Sequence, residues 1–333
     1  MNAPLGRIRV PITDTLRLAM TQLSMATPAS VAYRLACIQG ERDYRRHDWI
    51  RQSIPENMAA VLGEPLPHAE GQRIAVEYAR LRRCEAVDRL QLAAHPRRVR
   101  SLMVIRGAEH LRHALEAGHG ALLCTAHYGS YLAAAGRLGA EGFPVSLIRA
   151  HFQEETDELG LGKVERRRRK MLARRYLERY IQETIFTGDG QFSTGVQVAR
   201  RLRQNEVVIS FLDPPPQEAD LTRAVDAPFF GHATRLLPGS ITIAQRLGTP
   251  ILMMFAYRAP DYAHSTLEIS APITPEATPA ATLARCLAVI EDAIRARPAE
   301  WFYWPRTDTL QELDLLPVSD ASEHSSRTTP ISQ

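Results

Sequence analysis

Gly120-Ala-Leu-Leu-Cys-Thr-Ala-His127-Tyr-Gly-Ser-Tyr-Leu132, running on into Ala133-Ala-Ala-Gly-Arg137, is the stretch that decides how this chain folds. Its first half is a short continuous apolar run, the pattern of a strand buried on both faces. Gly129 and Ser130 then supply a turn, and the alanine-rich segment supplies a helix. This order sets His127 at the mouth of a strand–helix junction, beside the unpaired N–H groups of the helix start. Those groups attract developing negative charge, and a neutral imidazole there is placed to act as a general base. Taken alone, the same segment also describes a histidine that simply satisfies a strand end.

Working outward, the alternation of strand and helix repeats. Met103–Gly107 reads as a strand and His110–Ala117 as a helix stopped by Gly118. Ala121–Thr125, Pro144–Ile148 and Val207–Leu212 read as strands, with helices over Ser130–Ala140, Val164–Gln182 and Gly195–Arg203. A helix over Leu237–Leu247, strands over Ile251–Tyr257 and Thr266–Ser270, and a helix over Ala281–Arg295 complete the series. The expected fold is α/β: a three-layer mixed sheet flanked by helices, with right-handed crossovers between parallel strands. The first hundred residues read as helical, with one helix set off by Pro55 and another carrying Ile74, Tyr78 and Leu81 at helical spacing. The expected organisation is a helical N-terminal region over 1–100 packed on an α/β core over 101–316. Residues 317–333, rich in Ser, Thr, Asp and Pro, read as a disordered tail.

A chain of 333 residues can bury a substantial core, and 45% hydrophobic with 23% charged residues is ordinary globular composition. The four cysteines, Cys37, Cys84, Cys124 and Cys286, have neither metal-ligand nor disulfide-framework spacing and read as reduced thiols of a cytoplasmic protein. Cys124 precedes His127 by three residues; strand alternation in apolar surroundings makes it a buried, inert thiol. No secretory signal and no apolar run of membrane-spanning length is visible. Asp14–Met25, interrupted by Arg17, has the makings of an amphipathic helix that rests on a surface or packs on the core.

Further segments follow in a set order: Val207-Val-Ile-Ser-Phe-Leu-Asp213, Val225-Asp-Ala-Pro-Phe-Phe-Gly231, Leu237-Pro-Gly-Ser-Ile-Thr-Ile-Ala244, Pro250-Ile-Leu-Met-Met-Phe-Ala-Tyr-Arg258 and Glu300-Trp-Phe-Tyr-Trp-Pro-Arg306. In this order and spacing the chain, from about Arg51 to Arg306, resembles the late lipid A biosynthesis acyltransferases, a family that includes the phosphatidylinositol mannoside acyltransferases. The family pattern after the histidine, roughly H-x-G-N-W-E/D, ends in a carboxylate five positions on, where this chain has Leu132. The resemblance therefore implies a different acid beside His127. Asp226, three positions before the Phe-Phe-Gly segment, is the candidate, with Asp213 at a predicted strand end as the lesser one. It further implies substrate-binding roles for Arg149, Arg258 and Ser130; Trp301 and Trp304 read as core or interface anchors rather than the floor of an acyl pocket, although aromatics suit both roles.

What the resemblance implies chemically is transfer of an acyl group from an acyl carrier protein or coenzyme A thioester to a hydroxyl or amine. His127 would be the base, no cofactor or metal would be needed, and the acceptor would be a lipid or a soluble biosynthetic intermediate. A run from Lys163 to Arg179 holds nine cations against two anions, a local charge of +7 in a chain of only +4. Arg167, Arg168 and Arg174 in that run are the residues expected to dock an acidic donor, with an attraction that salt screens. The same charges suit anionic headgroups and hence a peripheral contact with the inner face of the plasma membrane. No interleaved stacking aromatics accompany them, so no nucleic-acid partner is expected. The loss of the acid at position 132 also admits a rival, a degenerate member that binds acyl carrier or lipid without turnover.

Overall fold

Because the strands of the central run are apolar on almost every residue, they need helices on both faces, and that is the arrangement found. The computed structural model describes residues 27–95, 97–150, 171, 174–187 and 194–317. The segment Asp14–Met25, the basic residues 163–170 including Arg167 and Arg168, and the tail beyond 317 lie outside the described residues.

Three helices come first: α1 (Ala29–Arg46), α2 (Asp48–Leu62) and α3 (His68–Ala94). Pro55 does not open α2 but lies inside it. Its missing N–H leaves the carbonyl of Arg51 unclaimed within the helix, and the Gln72 side-chain amide donates to that oxygen at 3.2 Å. A short α4 (Arg98–Leu102) leads into β1 (Met103–Arg106), α5 (Ala108–Glu116), β2 (Ala121–Thr125), α6 (Tyr131–Glu141), β3 (Val145–Ala150) and β4 (Glu183–Thr187). Then come α7 (Thr194–Arg203), β5 (Val207–Phe211), a hairpin of β6 (Val225–Phe229) and β7 (His232–Leu236), α8 (Gly239–Leu247), β8 (Ile251–Arg258), β9 (Ser265–Ile269), α9 (Pro279–Ala296) and α10 (Thr307–Glu312).

The seven-stranded sheet has the order β1-β9-β8-β2-β5-β3-β4. β8, β2, β5, β3 and β4 run parallel, while β9 pairs antiparallel with β8 and parallel with β1. The sheet is therefore mixed, as expected, and the reversal at β8–β9 turns one edge around. Alternation along β2 splits the interior into two layers: Leu122 and Cys124 face α2, α3 and α9, whereas Ala121 and Leu123 face α5 and α6. β4, the β6–β7 hairpin and α10 were not read from sequence. The hairpin turns through Phe230 and Gly231, both at positive φ (54° and 80°), the pairing a tight two-residue turn demands. Phe230 accepts that conformation because its ring is buried against Trp301 and Trp304, and its N–H donates to Glu291 at 2.7 Å.

Candidate active site

β2 and β5 are neighbours in register, with Thr125 opposite Phe211. His127 and Asp213 each lie two residues beyond those strand ends, so the register alone brings them side by side at the carboxyl edge of the sheet, where open α/β folds place their sites. The Asp213 carboxylate is fully buried, and the His127 ring is 23% exposed. The Nδ1–H of His127 donates to Asp213 Oδ1 at 2.9 Å, with the Tyr303 hydroxyl oxygen 3.0 Å from the same nitrogen. The other carboxylate oxygen of Asp213 accepts from the His127 backbone N–H at 2.8 Å and from Trp301 Nε1–H at 3.1 Å. Among the described residues nothing hydrogen-bonds to Nε2 of His127. The ring itself is stacked on Phe211, centroids 4.6 Å apart, and met edge-on by Tyr131 at 5.4 Å. One nitrogen is thus fixed by a buried carboxylate, and the other is left to a reactant.

The turn carrying the histidine is held from the far end of the chain. Phe302 N–H donates to His127 O at 2.9 Å and Gly129 N–H to Glu300 O at 3.0 Å. Tyr128 forms an antiparallel bridge with Trp301 and sends its hydroxyl to Ala293 O at 2.9 Å. Gly129 has φ +56°, and a Cβ there would stand 1.8 Å from Ala256 O, so no other residue fits.

The expected acid is corrected by this geometry. Asp226 lies on β6 with its side chain 71% exposed and pairs across the hairpin with Arg235 at 3.9 Å. Alternation along a two-stranded ribbon turns it to solvent while Ala227 and Phe229 face the core. Asp213, ranked second from the sequence, is the carboxylate on the ring. Leu132, at the position of the missing acid, packs on α6 against the apolar layer beneath.

Ser130 and Arg258 are corrected too. The Arg258 guanidinium, only 4% exposed, makes a two-point pair with Asp88, one bond of which is 3.1 Å. Ser130 Oγ donates to Asp88 Oδ2 at 2.8 Å and accepts from Arg258; Tyr33 donates to Asp88 Oδ1 at 2.6 Å. Burial opposes the charge on Arg258, but Asp88 outweighs it and lifts the guanidinium pKa further. A buried cation needs such a partner. Arg149, half-buried near the end of β3, is close enough to Tyr131 for its charge to act on that hydroxyl. Arg174 is exposed and pairs with Glu178 at 2.5 Å. Its segment, 174–180, is clamped to α6 because Gly136 and Gly139 leave room for Tyr176 and the Tyr180 backbone. Cys124 is fully buried and interacts with Cys286 on α9, away from the imidazole.

Trp301 and Tyr303 are the functional residues that sequence reasoning missed in role. The Trp-Phe-Tyr-Trp run marked an aromatic anchor, but nothing in it says that one indole and one phenol turn towards the carboxylate and imidazole of strands β2 and β5.

Fold and site together define an α/β protein with a histidine, backed by a buried carboxylate, at the carboxyl edge of a mixed sheet. Residues 6–306 match the bacterial lipid A biosynthesis acyltransferases, and the chain belongs to that family. It is also 31% identical over 230 residues to a phosphatidylinositol mannoside acyltransferase of Mycobacterium tuberculosis strain H37Rv, and equally to that of strain CDC 1551. These matches cover 66% of this chain and 65% of each relative, so the chain spans just under two thirds of their length. Among the described residues no helix is long and apolar enough to cross a membrane.

Proposed function

We propose that this protein transfers an acyl group from a thioester, carried by acyl carrier protein or coenzyme A, to a hydroxyl or amine acceptor in lipid biosynthesis. The observation that carries the reading is the Asp213–His127 pair with Nε2 unengaged, in a chain of the acyltransferase family. The acceptor's proton passes to Nε2 as its oxygen or nitrogen attacks the thioester carbonyl. The tetrahedral intermediate then expels the thiolate, which takes the proton back from the imidazolium. Asp213 holds the productive tautomer and stabilises the imidazolium. Direct transfer is favoured over an acyl-serine, since Ser130 Oγ is buried and committed to Asp88. The degenerate-binder reading rested on the missing acid at Leu132, and the contact of Asp213 with the ring supports the enzyme reading over it. Both the family name and the mycobacterial relatives' name refer to glycolipids, which supports a lipid-linked hydroxyl as acceptor. The basic run that includes Arg167, Arg168 and Arg174 is assigned to docking the acidic donor at a peripheral site on the inner membrane face.

The test is acceptor-dependent release of free thiol from acyl carrier protein or coenzyme A thioesters. His127→Ala should lower turnover by about 10²–10⁴-fold with the fold intact. Near-normal release in that variant would reduce His127 to a structural residue.

A further inference from the structure

The helices α1 and α3 run antiparallel in direct backbone contact. A Cβ placed on Gly40 would stand 2.5 Å from the Ala79 carbonyl oxygen and 2.6 Å from the Arg80 Cα, so a glycine is what lets them come this close. One turn earlier on α1 and one turn later on α3 stand Cys37 and Cys84, their sulfurs 3.8 Å apart. A further turn along the same line, the Tyr33 hydroxyl donates to Asp88 Oδ1 at 2.6 Å. The thiol pair is therefore fixed from both sides, by the glycine crossing and by that hydrogen bond.

The two sulfurs have different surroundings. Cys84 is 0% exposed and packs among Tyr33, Ala36 and Val87, whereas Cys37 is only partly buried. The Cys84 S–H is placed to donate to Cys37, and that contact lowers the Cys37 pKa from its ordinary value. The charges of Arg80 and Arg258 act the same way, against burial and Glu77. The same contact, together with burial, raises the pKa of Cys84. The thiolate is the nucleophilic form, and a solvent-reached thiol that ionises readily beside a second sulfur is the arrangement of an oxidant-responsive pair. Cys124 and Cys286 supply the contrast. They also interact, but both are 0% exposed, within β2 and α9, so a reagent reaches either sulfur only when the core opens.

We propose that Cys37 and Cys84 form a hydroperoxide-sensitive modification site, at which Cys37 is oxidised first and Cys84 converts it into a disulfide that staples α1 to α3. The Cys37 thiolate attacks one peroxide oxygen, the O–O bond breaks, and hydroxide leaves to collect the Cys37 proton as water. The sulfenic acid so formed is attacked by the Cys84 sulfur. The S–S bond forms as the S–O bond breaks, and the expelled hydroxide takes the Cys84 proton as a second water. Two thiols are oxidised and one hydrogen peroxide is reduced. Closing 3.8 Å to a bond of about 2 Å asks for side-chain rotation at a crossing where the backbones already touch. The site does not depend on the acyl-transfer reading.

The test exposes the reduced full-length chain to a small excess of hydrogen peroxide, alkylates the remaining thiols with iodoacetamide under denaturing conditions, and reads the unreduced digest by mass spectrometry. The expected product is a linked pair of peptides holding Cys37 and Cys84, lighter by two hydrogens than the reduced pair and separated by dithiothreitol, with Cys124 and Cys286 alkylated. Before peroxide, iodoacetamide should label Cys37 in the native protein at least about 10-fold faster than the other cysteines. Cys84→Ala should abolish the link and leave Cys37 as a sulfenic acid captured by dimedone. Should that buried change prevent folding, Cys37→Ser, at the partly exposed position, should abolish the link and leave Cys84 unoxidised. Recovery of all the cysteines as alkylated thiols after peroxide would overturn the site. So would Cys37 driven to sulfinic acid with Cys84 still free, a link between two chains through Cys37, or oxidation of Cys124 and Cys286 as fast as that of Cys37.

Discussion

At the scale of single residues, the site depends on how completely Asp213 is used. Its two oxygens receive the His127 ring, the His127 backbone and the Trp301 indole, so rotation of the carboxylate is blocked from three directions. Asp213→Asn keeps the shape but presents an amide that can donate as well as accept, which favours the wrong imidazole tautomer. Turnover should fall by about 10²–10⁴-fold, while Asp226→Asn, an exposed change, should stay within about twofold, both read in the thiol-release assay. Glu300 offers a different test. Burial raises its pKa, so the folded state holds the Glu300 proton more tightly than the unfolded chain does. That contribution to stability grows as pH falls from neutrality through the raised pKa towards the unfolded value. Glu300→Gln removes the cost of the buried charge while keeping an acceptor for the Arg258 N–H. The variant's advantage over wild type in denaturant unfolding should therefore be greatest near neutral pH and shrink on acidification. A gap that widens in acid would contradict the assigned direction. At this scale His127 was legible from its strand–turn context, and Asp213 as a strand-end residue that matches a family aspartate, ranked below Asp226. What sequence lacked was the β2–β5 register, the one fact that separates Asp213 from Asp226.

At the scale of elements, two glycine turns behave differently although both have positive φ. At Gly129 the backbone of Ala256 is in the way; at Gly231 nothing lies within 4 Å of an added Cβ. Gly129→Ala should cost about 2–4 kcal/mol, combining backbone strain with overpacking, and should disturb the catalytic turn. Gly231→Ala should cost only about 1 kcal/mol, the conformational penalty alone. Denaturant unfolding of the two variants measures the difference, and equal costs would show that the Ala256 contact yields. The strands β2, β5 and β8 were legible because they are apolar on almost every residue, and α6 because alanines follow a turn. The β6–β7 hairpin was not, since Phe230 at positive φ hides the turn signal that Asn-Gly would have given. Pro55 misled for a related reason: its usual place is a helix start, and only Gln72, supplied by the next helix, makes the interior position tolerable.

At the scale of the molecule, the alternation of strand and helix gave the α/β class, but not the reversal at β8–β9 nor the return of residues 300–303 to the histidine turn. Those are long-range pairings that no local pattern encodes. Arg258 shows the same limit, because its match to a family position suggested a ligand contact until Asp88, 170 residues away, was found to hold it. The charge excess acts at this scale as well. With an anionic thioester donor, the apparent donor KM should rise as salt is increased from about 50 to 300 mM, and Arg174→Glu should flatten that dependence. A donor KM indifferent to salt would leave the basic run as a solvated face.

The bridge between Tyr128 and Trp301 also bears on how the protein comes into being. His127 emerges early in synthesis, while the indole and phenol that orient Asp213 and the ring come from residues 301 and 303. A nascent chain can thus assemble β2, α6 and β5 long before its histidine is aligned. Alignment of the histidine therefore waits until nearly the whole core has left the ribosome.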